Sequence, residues 1–155
     1  MSSPIPAEAL AEVPADFTPF PFGEGFLATA GPFYAYSGPD ADGTRFGFVS
    51  EAKHGNPNGV IHGGVLVTFA DTFMGSAVYF KRGRCATISL NSEFVAGVEP
   101  GKWIDGTAEI TKLTTSLAFV RGTVSCEGQT LLTASGIWKL FKKPIPGKPD
   151  RGPDV

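Results

Sequence analysis

The chain has 155 residues, about the length of one ordinary domain, and 42% of them are hydrophobic against 18% charged. A domain of this size buries roughly two-thirds of its unfolded surface, so it needs no disulfide or metal ion to be stable. The formal net charge is -2, and no basic run extends beyond Lys142-Lys143, which argues against nucleic acid as a partner.

Cysteine usage and the absence of targeting signals favour a cytoplasmic protein. Cys85 and Cys126 form no CxxC pair and are interpreted as free thiols. Residues 1–17 lack the basic start and apolar core of a secretory signal. The longest apolar stretch, residues 65–80, is interrupted by polar side chains and is too short to span a bilayer. We therefore expect no association with a membrane.

The first 25 residues are rich in Pro, Ala and Phe and are predicted to form a loosely structured N-terminal arm. The arm is aromatic, and we expect its rings to pack on the rest of the domain rather than to close over a pocket; they are Phe17, Phe20, Phe22 and Phe26. Two short strands follow at residues 33–37 and 44–50. The turn formers of residues 38–43 between them predict a hairpin.

A long segment without proline, residues 62–80, has the spacing of an amphipathic helix. Its apolar positions recur at i, i+3, i+4 and i+7, at Leu66, Phe69, Ala70, Phe73, Met74, Ala77 and Val78. The other side of this helix is small and polar, at Gly64, Thr68, Asp71, Thr72 and Gly75. Small side chains let a ligand or another backbone come close, which makes Gly64, Thr68 and Thr72 candidate substrate-binding residues.

Four strands complete the chain. In the first, alternation places Ala86, Ile88, Leu90, Ser92 and Phe94 on one face and Thr87, Ser89, Asn91 and Glu93 on the other. The next three are predicted at residues 103–113, 117–126 and 129–141. Their short links require antiparallel neighbours. A tail rich in Pro and charge, residues 142–155, is predicted to be flexible.

This order of elements predicts an α+β domain over residues 26–141. One helix lies on one face of an antiparallel sheet of five to six strands. The helix is apolar over more than half of its circumference, so the sheet is expected to wrap around it.

The chemistry is expected between Asn56 and Asp71, where two glycines open the helix. A helix start carries backbone N–H groups without internal partners and a partial positive charge. Because Gly63 and Gly64 have no Cβ, a substrate oxygen can approach these donors. Such a site polarises a carbonyl group.

Asp71 is the only charged side chain between His62 and Phe80. A carboxylate on a buried helix is costly unless it is paired or used, so a structural Asp and a catalytic Asp both remain open. Eight residues separate Gly63 from Asp71, or roughly 12 Å along a helix. If both act on one carbonyl, they must come from two subunits of a dimer related by a two-fold axis.

The run Asn56-x5-His62-Gly63-Gly64-x6-Asp71 resembles the hotdog-fold thioesterase superfamily, and within it the PaaI-like acyl-CoA thioesterases of phenylacetate degradation. The resemblance covers residues 33–141, because the order of elements also agrees. It implies an acyl-CoA substrate, hydrolysis of the thioester, and no cofactor or metal. It also implies a homodimer that pairs further into a dimer of dimers.

The same resemblance implies a role for each residue of the motif. Asp71 acts as nucleophile or general base, and the Gly63 N–H of the other subunit polarises the thioester carbonyl. Asn56 positions the water or the thioester, and His62 holds the loop. Thr87 matches a hydroxyl position that assists the attacking water.

The sequence contains no dedicated motif for the phosphates of CoA. Lys81, Arg82 and Arg84 are the favoured candidates, since Arg and Lys suit phosphate, and a solvated turn is the alternative. Weaker candidates are Lys139, Lys142 and Lys143. His54 is expected to be exposed and incidental.

Two other functions are weighed against hydrolysis. A dehydratase of the same fold uses a catalytic His in a different spacing, and no His follows His62. A non-catalytic acyl-CoA sensor would not need Asp71, Asn56 and Thr87 together. The acyl group itself stays open among aryl-acetyl, benzoyl-type and medium aliphatic thioesters.

Overall fold

A computed structural model of the protein describes residues 9–20 and 24–142. Its helices and strands follow in the order β1 (Phe17–Pro19), α1 (Phe26–Ala30), β2 (Tyr34–Tyr36), β3 (Arg45–Val49), a 3-10 turn (Ala52–His54), α2 (Gly63–Arg82), β4 (Cys85–Phe94), β5 (Trp103–Leu113), β6 (Leu117–Cys126) and β7 (Gln129–Leu140).

All strands join one antiparallel sheet in the order β1-β2-β3-β5-β6-β7-β4. The 20-residue helix α2 lies against the inner face of this sheet, in contact with β4, β5, β6 and β7. The chain runs directly from α2 into β4, which nevertheless pairs with β7, the last strand. β4 therefore forms one edge of the sheet, beside the helix.

The core lies between α2 and the inner face. The predicted apolar side of α2 is confirmed, since the residues that it contributes to the core are Leu66, Phe69, Ala70, Phe73, Met74, Ala77 and Val78. Alternate residues of β6 and β7 meet this side of the helix, as the period of two requires. The apolar side of α2 thus packs against the larger set of buried residues that the sheet supplies.

Two glycines in the sheet let aromatic rings of α2 lie against the backbone. At Gly106, in β5, an added Cβ would come 2.7 Å from the Phe73 ring and 2.8 Å from the Phe69 ring. At Gly122, in β6, it would meet the Met74 sulfur at 2.5 Å. These positions fix how closely the helix approaches the sheet.

The α+β hotdog architecture is confirmed, but the sheet has seven strands rather than five to six. The additional strand is β1, inside the N-terminal arm, which was predicted to be loosely structured. β1 pairs with β2 in antiparallel register, Phe17 opposite Tyr36. Pro19 ends this short edge strand, where a missing N–H costs no ladder bond. Hydrogen bonding with β2 therefore ties the arm to the sheet.

Aromatic contacts also hold the arm. The Phe17 ring lies 5.0 Å from that of Trp103, and the Phe20 ring stacks on Phe46 at 5.6 Å. Phe26 is 68% exposed, and Phe22 lies outside the described residues. The predicted flexible tail also lies outside them from residue 143 onward.

By length and mean hydropathy alone, α2 could cross a membrane, with a value of 1.2 over its most apolar window. The fold gives this hydropathy another explanation, because the apolar side chains of α2 face the inner side of the sheet. The same composition suits the core helix of an α+β domain.

Replacing Gly106 with Ala is expected to destabilise the domain by about 1–3 kcal/mol, because the new methyl group would overlap two core rings. Thr107→Ala is the control, since Thr107 is the next residue and is exposed. Urea unfolding of both variants measures the difference. Equal midpoints for Gly106→Ala and wild type would contradict this account of the helix–sheet contact.

Candidate active site

The segment between the 3-10 turn and α2 forms a closed loop. The Asn56 side-chain oxygen accepts from the N–H of Asn58 at 2.9 Å and of Val60 at 3.3 Å. The Asn56 N–H donates to the Val60 carbonyl, and Gly55 and Ile61 form an isolated β-bridge. The side-chain oxygen of Asn56 therefore holds the loop together. A ligand outside the loop can bind chiefly to the NH₂ group of the Asn56 amide.

His54 is buried at 2% exposure, so the expectation of an exposed, incidental side chain is wrong. Its Nδ1 accepts from the Glu51 N–H at 2.8 Å, which places the ring proton on Nε2. Nε2 lies 2.7 Å from the Ala30 carbonyl, to which it donates. The ring also packs edge-on against Phe48. Sequence reasoning missed this residue because a lone histidine carries no signal of the partners that bury it.

The backbone of His54 also holds the start of α2. Its carbonyl accepts from the His62 N–H at 2.8 Å. His62 is the N-cap of α2, and its Nδ1 accepts from the Gly64 N–H at 2.8 Å. The His62 carbonyl accepts from Val65. The two histidines thus fix the start of α2: the His54 carbonyl binds the N–H of His62, and the His62 ring binds the N–H of Gly64.

Of the first N–H groups of α2, that of Gly63 remains open. No acceptor among the described residues lies within hydrogen-bond distance of it. Gly64 was a candidate for substrate binding, but its N–H is already committed to His62. A Cβ at Gly63 would lie 2.8 Å from the Phe94 ring, which places the Gly63 amide beside the end of β4.

The Asp71 carboxylate and the Thr87 hydroxyl come together between α2 and β4. The Thr87 Oγ1 donates to Asp71 Oδ1 at 2.6 Å. Asp71 is half-buried and Thr87 is exposed, so solvent reaches the pair. The hydroxyl of Thr87 fixes one carboxylate oxygen of Asp71. The other oxygen can then face water or an electrophile.

A β-bulge explains why Thr87 faces the helix. Thr87 lies opposite Trp138 on β7, but Ser89 lies opposite Ile137, so the register shifts at Ile88. Strict alternation had placed Thr87 on one face with Ser89, Asn91 and Glu93, and that prediction is wrong. The extra residue turns Thr87 inward while Ser89 still faces outward. Bulges next to active sites re-aim side chains in this way.

Two further side chains adjoin Asp71 and Thr87, and sequence reasoning did not include them. Cys85 lies two residues before Thr87, and its thiol donates to the Gly75 carbonyl at 3.4 Å. Burial, with a smaller effect of the Asp71 charge, raises the pKa of Cys85 to about 11. The thiol therefore stays protonated near neutral pH and is a poor nucleophile. The second is Trp138, opposite Thr87.

Thr68 and Thr72, the other substrate-binding candidates on α2, direct their hydroxyl protons to their own helix. Thr68 donates to the Gly64 carbonyl at 2.8 Å and Thr72 to the Thr68 carbonyl at 2.7 Å. Only their oxygen lone pairs remain for a ligand, so neither is placed to donate to a substrate.

The basic candidates lie at the C-terminal end of α2 and at the adjoining strand ends. Lys81 and Arg82 occupy the last turn of α2 and are exposed. Arg84 and Lys139 both lie over the Phe141 ring, at 5.7 and 5.5 Å from its centroid. Lys142 is exposed, and Lys143 lies outside the described residues.

The predicted site residues therefore form two groups in one chain. Asp71 and Thr87 meet near the start of β4. Gly63, with Asn56 and His62, lies near its end, beside Phe94. The described residues contain no group of three His, Cys, Asp or Glu side chains placed to hold a metal ion.

The sequence matches known proteins over this same region. The model of the thioesterase superfamily matches residues 58–133. A candidate esterase of Pseudomonas aeruginosa, PA0474, is 29% identical over 134 residues, which are 83% of this chain and 97% of that protein.

Solved structures share the fold. The PaaI protein of the phenylacetic acid degradation operon of E. coli superposes with a TM-score of 0.69 at 17% identity, covering 78% of this chain and 88% of that one. The BH2602 protein of Bacillus halodurans, whose structure contains CoA, superposes with a TM-score of 0.58 at 25% identity, covering 62% of this chain and 66% of that one.

Stability is expected to fall below pH 6.5 because of His54. Burial lowers the pKa of His54 from 6.5, outweighing the Ala30 carbonyl, which raises it. Between the lowered pKa and 6.5, the imidazole of His54 is protonated in the unfolded chain and neutral in the folded protein. The free energy of unfolding therefore rises with pH up to about 6.5. Urea unfolding across pH 5–8 measures this dependence, and His54→Gln is expected to weaken it.

His62→Asn is the matched control, since Asn can cap a helix and the variant removes the exposed histidine. This variant is expected to keep the wild-type pH dependence. A dependence that followed His62 rather than His54 would contradict the assignment.

Proposed function

We propose that this chain is a thioesterase of that superfamily, an enzyme that hydrolyses acyl-CoA thioesters with Asp71 as the catalytic carboxylate. The match of residues 58–133 to the superfamily model supports the proposal. The observation that carries the proposal is the hydrogen bond of 2.6 Å from Thr87 to Asp71, at a position that solvent reaches. A hydroxyl on one carboxylate oxygen fixes the direction of the other. An oriented carboxylate beside an activated ester is sufficient for catalysis by general base or nucleophile.

The chemical step requires few groups. Asp71 either takes a proton from a water that attacks the thioester carbon, or attacks that carbon itself to form an anhydride that water then opens. In both routes the C–S bond breaks, the CoA thiolate leaves and takes up a proton, and the free acid forms. The developing oxyanion needs a donor, and an open N–H at a helix start suits that task.

The donor for each Asp71 is proposed to come from a second copy of the chain. Gly63 and Asp71 are separated by roughly 12 Å along α2, too far to share one carbonyl. β4 is a ten-residue edge strand, and two of its large apolar side chains are exposed, Ile88 at 57% and Phe94 at 60%. A long apolar edge strand is a template for pairing with another strand.

A two-fold axis through the middle of β4 completes the site. If two copies of β4 pair antiparallel about Leu90 and Asn91, Thr87 of one copy lies opposite Phe94 of the other. Asp71 adjoins Thr87 and Gly63 adjoins Phe94. Such pairing therefore carries each Asp71 toward the open N–H of the partner's Gly63. The dimer would contain two equivalent sites.

The remaining expectations stay proposals. We place the phosphates of CoA at the basic end of α2, on Lys81, Arg82 and Arg84, where exposed cations accompany the Phe141 ring. The structure of the Bacillus halodurans relative with CoA supports this choice of substrate. We also propose that the dimers pair into tetramers, that the protein is cytoplasmic and that it needs no cofactor.

The dehydratase alternative is disfavoured by how the histidines are used. Both ring nitrogens of His54 are committed to the loop. His62 uses Nδ1 as the helix cap. A dehydratase needs an imidazole poised on the substrate, and the described residues offer none beside Asp71.

Asp71→Asn and Asp71→Ala are expected to lower kcat/KM for acyl-CoA by about 100-fold or more, which is the lower range for loss of a general base. Thr87→Val is expected to lower it by about 10-fold, because the carboxylate would lose its orienting bond. Thiol release from a panel of aryl and aliphatic acyl-CoAs measures both.

The chain offers a matched control on the outer face of the sheet. There the Thr133 hydroxyl donates to Glu93 at 3.1 Å, a carboxylate–hydroxyl pair facing away from α2. Glu93→Gln and Thr133→Val should leave kcat/KM within about twofold. Undiminished hydrolysis in both Asp71 variants would refute the catalytic assignment. Binding of an acyl-CoA without cleavage by wild type would instead favour the sensor.

The shared site predicts complementation between two inactive variants. Gly63→Pro removes the N–H at the first helical position, where proline is tolerated. Mixed with Asp71→Asn under conditions that exchange subunits, it is expected to restore about a quarter of wild-type activity. Half of the dimers are then mixed, and each mixed dimer has one intact site.

Gly63→Ala controls for the added Cβ beside Phe94, since it keeps the N–H, and this variant is expected to retain more activity than Gly63→Pro. Light scattering of the wild type tests the assembly directly. A fully active monomer, or a mixture no more active than its parts, would rule out a shared site.

A further inference from the structure

Trp138 joins the proposed active site from β7. The indole is almost completely buried, at 1% exposure, and lies directly opposite Thr87 across the strand pair. Residues opposite each other in antiparallel strands project to the same face with Cβ atoms roughly 5 Å apart. Trp138 therefore faces α2 on the same side of the sheet as the Thr87 hydroxyl.

The indole N–H of Trp138 is a donor without a partner. No acceptor among the described residues lies within hydrogen-bond distance of Nε1, whereas the other tryptophan, Trp103, donates to Asp105 at 2.9 Å. Every fully sealed side-chain N or O in the described part of the chain has a partner. The Nε1 atom is therefore not sealed, and it reaches space that a water molecule or a ligand can enter.

The position of that N–H relative to Asp71 follows from Gly75. An added Cβ on Gly75 would lie 3.0 Å from Trp138 Nε1. Gly75 is four residues after Asp71 on α2, about one turn or roughly 5 Å along the axis. The absence of a side chain at residue 75 leaves the N–H open, beside the turn of α2 that follows Asp71.

We propose that the Trp138 indole N–H is a specificity-determining donor, which binds an oxygen on the acyl group a few bonds from the thioester carbon. The inference rests on the proposed thioesterase function and names its substrate class: acyl groups that carry a hydroxyl or oxo oxygen near the thioester. A hydrocarbon acyl group in the same place leaves the donor buried without an acceptor.

The size of the effect follows from that unpaired donor. Leaving a buried donor unsatisfied, where the alternative ligand pairs it, discriminates between the two ligands by roughly 10- to 100-fold. Trp138 is a binding group in this proposal and takes no part in proton transfer. Its loss is therefore expected to change the ratio between substrates more than the rate with the unsubstituted one.

The test compares matched substrates that differ by one oxygen near the thioester: butanoyl-CoA with 3-hydroxybutanoyl-CoA, and phenylacetyl-CoA with mandeloyl-CoA, its 2-hydroxy counterpart. Wild type is expected to prefer the oxygenated member of at least one pair in kcat/KM. Trp138→Phe keeps an aromatic ring and removes the N–H, so it should lower that preference by about 10-fold or more.

Gly75→Ala provides a second variant that keeps the indole, in case Trp138→Phe perturbs the core. Its methyl group would crowd Nε1, and the preference should fall again. Trp103→Phe, on the outer face, should preserve the preference. Absence of a preference in wild type, or an equal loss on both members in Trp138→Phe and Gly75→Ala, would overturn the proposal. Wild type that cleaves none of the four thioesters would instead reject the thioesterase function itself.

Discussion

The hydrogen bond between Thr87 and Asp71 sets the relation between helix and sheet on which the site depends. Asp71 is the one charged side chain in the interior of an otherwise apolar and hydroxyl-bearing helix, and burial without a partner would be costly. The fold resolves this by turning Asp71 toward the edge of the sheet, where β4 closes the core. A ten-residue strand thus performs two tasks, covering the helix and supplying the hydroxyl that orients the carboxylate.

The bulge at Ile88 is the local feature that makes both tasks compatible. Without it, the inward set of β4 that includes Leu90 and Phe94 would place Thr87 on the outer face. One extra residue reverses the alternation, so that Thr87 and Cys85 face α2 at one end while Leu90 faces it further along. The same reversal brings Thr87 opposite Trp138, whose indole N–H lies beside Gly75, while the Thr87 hydroxyl binds the Asp71 carboxylate one turn earlier on α2.

Near the other end of β4, the start of α2 is held by a series of contacts that reaches back to the end of α1. His54 joins the Ala30 carbonyl to the loop, and its own carbonyl fixes His62. Lys53 adds a bond to the Gly31 carbonyl at 2.7 Å. The residues at the end of α1 thereby support the N–H groups at the start of α2. The proposed dimer would use this end of one subunit against the Asp71 end of its partner.

The sequence by itself determined the class of fold, and it indicated the segment in which the chemistry is proposed. The hydrophobic period of α2 and the short links between the strands that follow it require an enclosed helix against an antiparallel sheet. The run from Asn56 to Asp71 resembles the motif of the thioesterase superfamily. These are local properties, because spacing, turn residues and a lone carboxylate can be read from neighbours in the chain.

Only the tertiary structure decided which side chains meet. His54 is buried by Ala30 and Phe48, Thr87 is turned inward by a bulge, and β1 is a strand because β2 offers it a partner. Trp138 lies opposite Thr87 although it comes 51 positions later in the chain, through the pairing of β7 with β4. Such contacts depend on register and on burial by distant residues, which no local pattern specifies. The motif between Asn56 and Asp71 therefore indicated where to place the proposed site, while the sheet determined which other side chains meet there.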